Sequence, residues 1–120
     1  MIVEQDNESQ NIRNVNFLDN SKLRDIEFFL QGAVYCWCKN RPDEWFGLRD
    51  LMGGENFNWE GTPLYALWEY YNENGTEDPV LQAGVSGGHI LKKVIKSDDR
   101  DFYTKKEENY PNVRLYKWKN

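Results

Sequence analysis

From His89 to Lys96 the chain runs His-Ile-Leu-Lys-Lys-Val-Ile-Lys. Wound as an α-helix, this run gathers Ile90, Leu91, Val94 and Ile95 on one stripe and His89, Lys92, Lys93 and Lys96 on another. Ammonium groups along a helix face neutralise phosphates and release condensed counterions, so the chemistry open to this stripe is engagement of a phosphate backbone. Arg100 and Arg114, further on, carry the planar guanidinium fork that reads guanine edges. Ser86 and His89 stand near the start of the run, where side chains touch base edges. Lys105, Lys106 and Lys117 carry the positive charge onward. Any single lysine here is better explained by an ordinary solvated helix face; the alignment of four basic or histidine positions is what brings binding level with that reading.

The elements that must position these residues follow from the same stretch. Asp101–Lys106 and Val113–Trp118 are strand-like runs joined by a polar loop containing Pro111. A basic helix followed by a basic hairpin is a layout suited to a nucleic-acid duplex. On strand alternation Arg114, Tyr116 and Trp118 share a face, and the aromatic pair is expected to pack against the first helix rather than to stack on bases.

Charge is sorted along the chain. The 120 residues carry a net charge of −5, but residues 81–120 hold nine Lys/Arg against five Asp/Glu. The first eighty hold six against fifteen, so a basic working face on an acidic body is expected. Aromatic residues make up 15% of the chain, enough to build one compact core from few large side chains.

Enzyme chemistry finds little support. His89 is the one histidine, and it sits among lysines, so no Ser–His–Asp set stands out. Gly53-Gly54 lacks the flanking residues of a phosphate-binding loop. Asp43, Glu44, Asp50, Glu55 and Glu60 fit no metal-loop spacing and read as solvated loop charges. Cys36 and Cys38 point to different helix faces, so two reduced, mostly buried thiols are expected, with no metal and no cofactor. The first thirty residues show no apolar run of signal-peptide type and no stretch approaches a membrane span, so an intracellular, cytoplasmic protein is expected.

Upstream, residues 1–16 are polar and read as a flexible N-terminal arm, with a single domain over 17–120. Leu23, Ile26, Leu30, Ala33, Val34 and Trp37 recur at helical spacing, predicting a helix over Ser21–Lys39 capped by Ser21 and ended by Asn40 and Pro42. Gly32 in its middle suggests close helix packing. Trp45–Leu51 is a short helix or strand-like element, and Gly53–Asn56 is turn chemistry. Thr62-Pro63 predicts a helix start with Thr62 as cap, and Gly75 its end. Asp78-Pro79 repeats that logic. Leu81–Gly88 then reads either as one continuous helix or as a break near Val85-Ser86, with Ser86 capping a second helix.

Ala83-Gly84-Val85-Ser86, with Ile90 and Val94 downstream, resembles the turn and recognition helix of bacterial helix-turn-helix repressors, departing from them at Gly87-Gly88. Over the longer span, Gly88-His89-Ile90-Leu91-Lys92, Arg100 and Arg114-Leu115-Tyr116-Lys117-Trp118 resemble a winged-helix tail of the RFX or viral primase type, with Glu107 and Glu108 where such wings carry arginine. The resemblance implies an α+β fold, mainly helical, a winged helix-turn-helix with a C-terminal β-hairpin wing. It also implies a DNA-binding module, a transcription regulator or an accessory factor of a DNA-processing system, whose partner is double-stranded DNA. The site it implies comprises Ser86, His89, Lys92, Lys93, Lys96, Arg100, Lys105, Lys106, Arg114 and Lys117, and charge reversal at Lys92 and Lys96 is expected to abolish binding with the fold intact.

A second expectation comes from the acidic, aromatic-rich first two-thirds: a protein-interaction or inhibitor domain of phage type, whose acidic surface meets a basic host protein. The first long helix offers a face for a homodimer.

Overall fold

The structure, a computed structural model, describes residues 2–3, 15–54, 58–109 and 113–120. In chain order these form β1 (Ile2–Val3), α1 (Asn20–Asn40), α2 (Leu48–Leu51), α3 (Tyr65–Glu73), α4 (Pro79–Ser97), β2 (Phe102–Lys106) and β3 (Arg114–Trp118). The fold is α+β: a helical body and a small sheet of order β1-β2-β3, with β1 parallel to β2 and β2 antiparallel to β3.

Local chemistry accounts for most element boundaries. The start of α1 is capped by Asp19, whose carboxylate accepts from Lys22 N–H at 2.9 Å, two residues ahead of the expected Ser21. At the other end Asn40 Nδ2 donates to Cys36 O and Arg41 N–H donates to Trp37 O. In α2 the Asp50 carboxylate reaches back to Gly47 N–H at 2.8 Å, the side-chain half of a capping box. Asp78 caps α4 through Leu81 N–H with Pro79 in the first turn, as the sequence predicts. Gly75, with φ of 69°, closes α3, and Thr76 N–H donates back to Tyr71 O in a Schellman arrangement.

Thr62 does not cap α3. Its hydroxyl donates to Trp59 O at 2.8 Å and closes the preceding turn. The chain then enters α3 through i→i+3 bonds from Tyr65, Ala66 and Leu67.

Between the two readings of Leu81–Gly88, α4 takes the continuous one. It runs unbroken over 19 residues, and neither Gly84 nor Gly87 adopts positive φ. The turn of the repressor resemblance at Ala83–Ser86 is therefore corrected to helix interior. The reason is packing: α4 lies against α3, α1 and α2, and Ser86 is drawn inward to share a 2.6 Å hydrogen bond with Tyr71 Oη. Gly87 gives the closest approach, since a Cβ there would meet Leu48 Cδ2 at 2.8 Å and Leu64 and Trp59 just beyond. Gly32, expected at a tight packing site, has nothing within 4 Å of its Cβ position, and the same holds for Gly84 and Gly88. Gly32→Ala, Gly84→Ala and Gly88→Ala are each expected to stabilise the protein by about 0.5–1 kcal/mol in urea denaturation, with no such gain from Gly87→Ala.

Ile26, Leu30 and Val34 of α1, Leu64 and Leu67 of the α3 region, and Ala83, Ile90, Leu91 and Ile95 of α4 form the helical core. The sheet joins it through Phe46, Phe102 and Tyr116, all fully buried. Phe46 makes an isolated antiparallel bridge to β3: its N–H donates to Tyr116 O at 2.8 Å and Tyr116 N–H donates back at 2.7 Å. Tyr116 packs in the core as the alternation argument expects, with its ring 6.1 Å from Phe46, and burial raises its hydroxyl pKa. Of the arm expected over 1–16, Ile2–Val3 pair with Phe102–Tyr103 and Val15 enters the core; residues 4–14 lie outside the described residues. Phe17 stacks on Tyr70 at 4.0 Å.

Candidate nucleic-acid interface

The basic stripe of α4 does not form one open face. Lys92 is only 9% exposed and Ser86 only 4%, so both are corrected from the surface to the interior. A helical wheel divides side chains into two faces, but α4 packs against three other helices, α1, α2 and α3. His89 and Lys93 turn towards α1, lining a shallow cleft with Val15 and Leu23. Lys93 Nζ meets Glu27 Oε1 at 2.9 Å. Lys96 is exposed in the last turn. Charge reversal at Lys92 and Lys96 is therefore expected to disturb the fold as well as any binding, since Lys92 is nearly buried.

Arg100 is likewise corrected. Its guanidinium is committed to Asp98, with Nε to Oδ1 at 2.9 Å and Nη2 to Oδ2 at 2.8 Å, and it lies over the Tyr35 ring at 4.2 Å. The Arg100 backbone N–H and Gln31 Nε2 also donate to the Asp98 carboxylate, at 2.8 and 2.7 Å. Two of its five N–H donors, those of the Nε–Nη2 edge, are held by a buried carboxylate, so that edge is not open to a base. Burial by itself would raise the Asp98 carboxyl, but these hydrogen bonds and the Arg100 charge outweigh it and hold the group at about 2. The stabilisation this linkage provides is whole above about pH 4, where an unfolded aspartate is ionised, and is lost as pH falls towards 2. It amounts to about 2 kcal/mol. Urea melts between pH 5 and pH 2 should show that loss, with Asp98→Asn losing correspondingly less over the same range.

The hairpin divides its cations between its two faces. Register pairs Tyr103 with Lys117 and Lys105 with Leu115, so these four share the outer face, while Phe102, Thr104, Tyr116 and Trp118 share the inner one. Lys119, whose N–H donates to Asp101 O, continues the outer row. Lys106 and Arg114 pair at the far end, on the inner side of the pleat. Trp45 lies along the outer face with Lys105 Nζ 4.2 Å and Lys117 Nζ 5.3 Å from its ring centroid. Lys117 and Lys119 stand 5.8 and 5.7 Å from the Tyr103 ring. Lys105, Lys117 and Lys119 enter no ion pair among the described residues. Ammonium groups held over aromatic faces in this way keep their charge facing solvent while losing part of their rotamer freedom before any ligand arrives.

Of the ten residues implicated by sequence, the structure thus brings Lys105 and Lys117 together on the outer face of the hairpin, places Lys106 and Arg114 on its inner side, and leaves the α4 residues and Arg100 apart from them. Trp45, Tyr103 and Lys119 were missed. Tyr103 and Lys119 were legible in principle, being two positions from Lys105 and Lys117 in strands of period two. Trp45 carried no local signal, because the Phe46 bridge that seats it is formed with a distant part of the chain.

Of the acidic loop residues, Glu44 accepts from Arg41 at 3.1 Å and Asp50 caps α2, while Glu55 lies outside the described residues. Among the described residues no three His, Cys, Asp or Glu are grouped to hold a metal ion, and no helix is long and apolar enough to cross a membrane. Cys36 is exposed rather than buried; Cys38, two residues on, is buried, and desolvation raises its thiol pKa. Comparisons with protein-family models, with curated proteins and with solved structures found no match for this chain.

Proposed function

We propose that this protein is a nucleic-acid-binding domain of winged-helix layout that engages its ligand through the hairpin rather than through the lysine stripe of α4. The element order supports the layout: a first helix, a short strand-like bridge at Phe46 paired to the last strand, the α3–turn–α4 pair, then a two-stranded hairpin. In this reading the turn lies at Asn74–Asp78, not at Ala83–Ser86. The observation that carries the function is the outer face of the hairpin, where Lys105, Lys117 and Lys119 alternate with Tyr103 and Trp45.

Fluorescence anisotropy of a labelled oligonucleotide across a salt series tests it. Three phosphate contacts predict a slope of about −2 to −3 in log K against log salt. Lys105→Glu with Lys117→Glu should weaken binding by about 100-fold at low salt, because each replacement removes one phosphate contact and adds a repulsion. Absence of binding at the lowest salt would overturn the reading.

One observation favours a second reading, docking to another protein. The first half of α4 exposes Val80, Leu81 and Val85, with Leu81 57% exposed, and α1 exposes Phe28 and Tyr35 seven residues apart on one face. Glu73, Glu77 and Asp78 flank the α4 patch, so its complement would be a basic apolar surface. The homodimer expectation falls here too, through the α1 face.

A further inference from the structure

Resting on the nucleic-acid reading, we infer that the ligand is single-stranded, bound by stacking on Tyr103 between the lysine rows rather than by insertion of α4 into a duplex groove. Two sets of observations carry this. The first concerns what a duplex would require. Groove reading needs polar side chains on the exposed start of the second helix of the pair. Here that surface is Val80, Leu81 and Val85, and the helix entrance is lined by Glu73, Glu77 and Asp78, which repel phosphates. The guanidinium of Arg100, the group suited to reading guanine, is occupied by Asp98.

The second concerns what a single strand requires: a cationic track for the backbone and an exposed ring for a base. Tyr103 is 36% exposed at the middle of the outer hairpin face. Lys117, its cross-strand partner, and Lys119 hold their ammonium groups over its ring, 5.8 and 5.7 Å from the centroid, on flexible stems that can swing from the ring to the phosphates flanking a stacked base, and Lys105 lies one step along the same face. Trp45 is a positioning residue, holding Lys105 and Lys117 to one side of the track. Stacking uses the face common to all bases, and lysine contacts phosphates as point charges, so this surface discriminates strandedness without discriminating sequence.

The test uses the full chain and a labelled oligothymidylate of about a dozen nucleotides, compared at equal salt with a duplex of the same length. The expected result is at least about tenfold tighter binding of the single strand, about tenfold weaker single-strand binding for Tyr103→Ala, and near-parental binding for Tyr103→Phe, which keeps the ring. Equal or tighter binding of the duplex overturns the inference and leaves the nucleic-acid reading standing. Binding of neither probe overturns both. Single-strand binding unchanged in Tyr103→Ala shows charge without stacking and overturns the platform.

Discussion

Asp98→Ala is expected to destabilise the protein by about 3–5 kcal/mol, measured as the loss in unfolding free energy in urea at neutral pH. The magnitude follows from what the substitution strands. The Asp98 side chain is 4% exposed and the Arg100 side chain 17%, and the two are joined in a fork with a 2.8 Å Nη2–Oδ2 contact. With the carboxylate gone, Arg100 keeps its charge in a half-buried position beside Tyr35, and Gln31 loses its acceptor. An uncompensated charge costs more than the pair itself contributes. Asp98→Asn retains an acceptor for part of this network and should cost less. Glu27→Gln provides the contrast: its ion pair with Lys93 has side chains 29% and 47% exposed, and its loss should cost under about 1 kcal/mol. Asp98 also sits where α4 ends and the chain turns into β2, while Gln31 and Tyr35 belong to α1. The network is therefore a polar clasp between the helical body and the hairpin that carries the proposed interface.

That clasp shows why part of the fold was legible and part was not. Signals completed within a few residues read correctly. Asp78-Pro79 starts α4, Gly75 ends α3, and the two strands of the hairpin lie within a residue of where alternation put them. Signals that depend on distant partners did not. Asp98, Asp99 and Asp101 look alike in a charged run, yet only Asp98 is buried, because only its position meets Gln31 and the returning Arg100. Lys92 was read from a two-faced helical wheel and Ser86 as the cap of a second helix, whereas α4 is continuous and packs against α1, α2 and α3. At the interface, charge alone pointed to Lys105, Lys106 and Lys117 alike, and alternation put Tyr116 inward; it is the strand register that sets Lys105 and Lys117 on the outer face and Lys106 and Arg114 on the inner one. The residues carrying the least local information, Phe46 and Asp98, are among those that attach the hairpin.

Phe46→Ala is accordingly the second large effect, expected to cost about 3–5 kcal/mol in the same urea assay. Phe46 is fully buried, with Trp37, Phe102 and Tyr116 rings 5.6, 6.2 and 6.1 Å away. Truncation removes the transfer free energy of the ring and leaves a cavity among three aromatic neighbours, which rigid rings fill poorly. The backbone bridge to Tyr116 survives the change, since it uses Phe46 N–H and C=O, so the loss reports side-chain packing. Phe46→Leu, keeping much of the volume, should cost roughly half as much. Gly47→Ala probes the same junction from the other side: a Cβ there would lie 3.1 Å from the Arg114 carbonyl oxygen and 3.0 Å from Leu115 Cδ2, pressing β3 away from the entrance to α2. A backbone carbonyl fixed in a strand yields less than a side-chain tip, so Gly47→Ala is expected to destabilise, unlike the helix glycines with open space around them. If Phe46→Ala cost under about 1 kcal/mol, the aromatic clasp would not be what holds the hairpin to the helices, and the seat of Trp45 beside Lys105 and Lys117 would need another anchor.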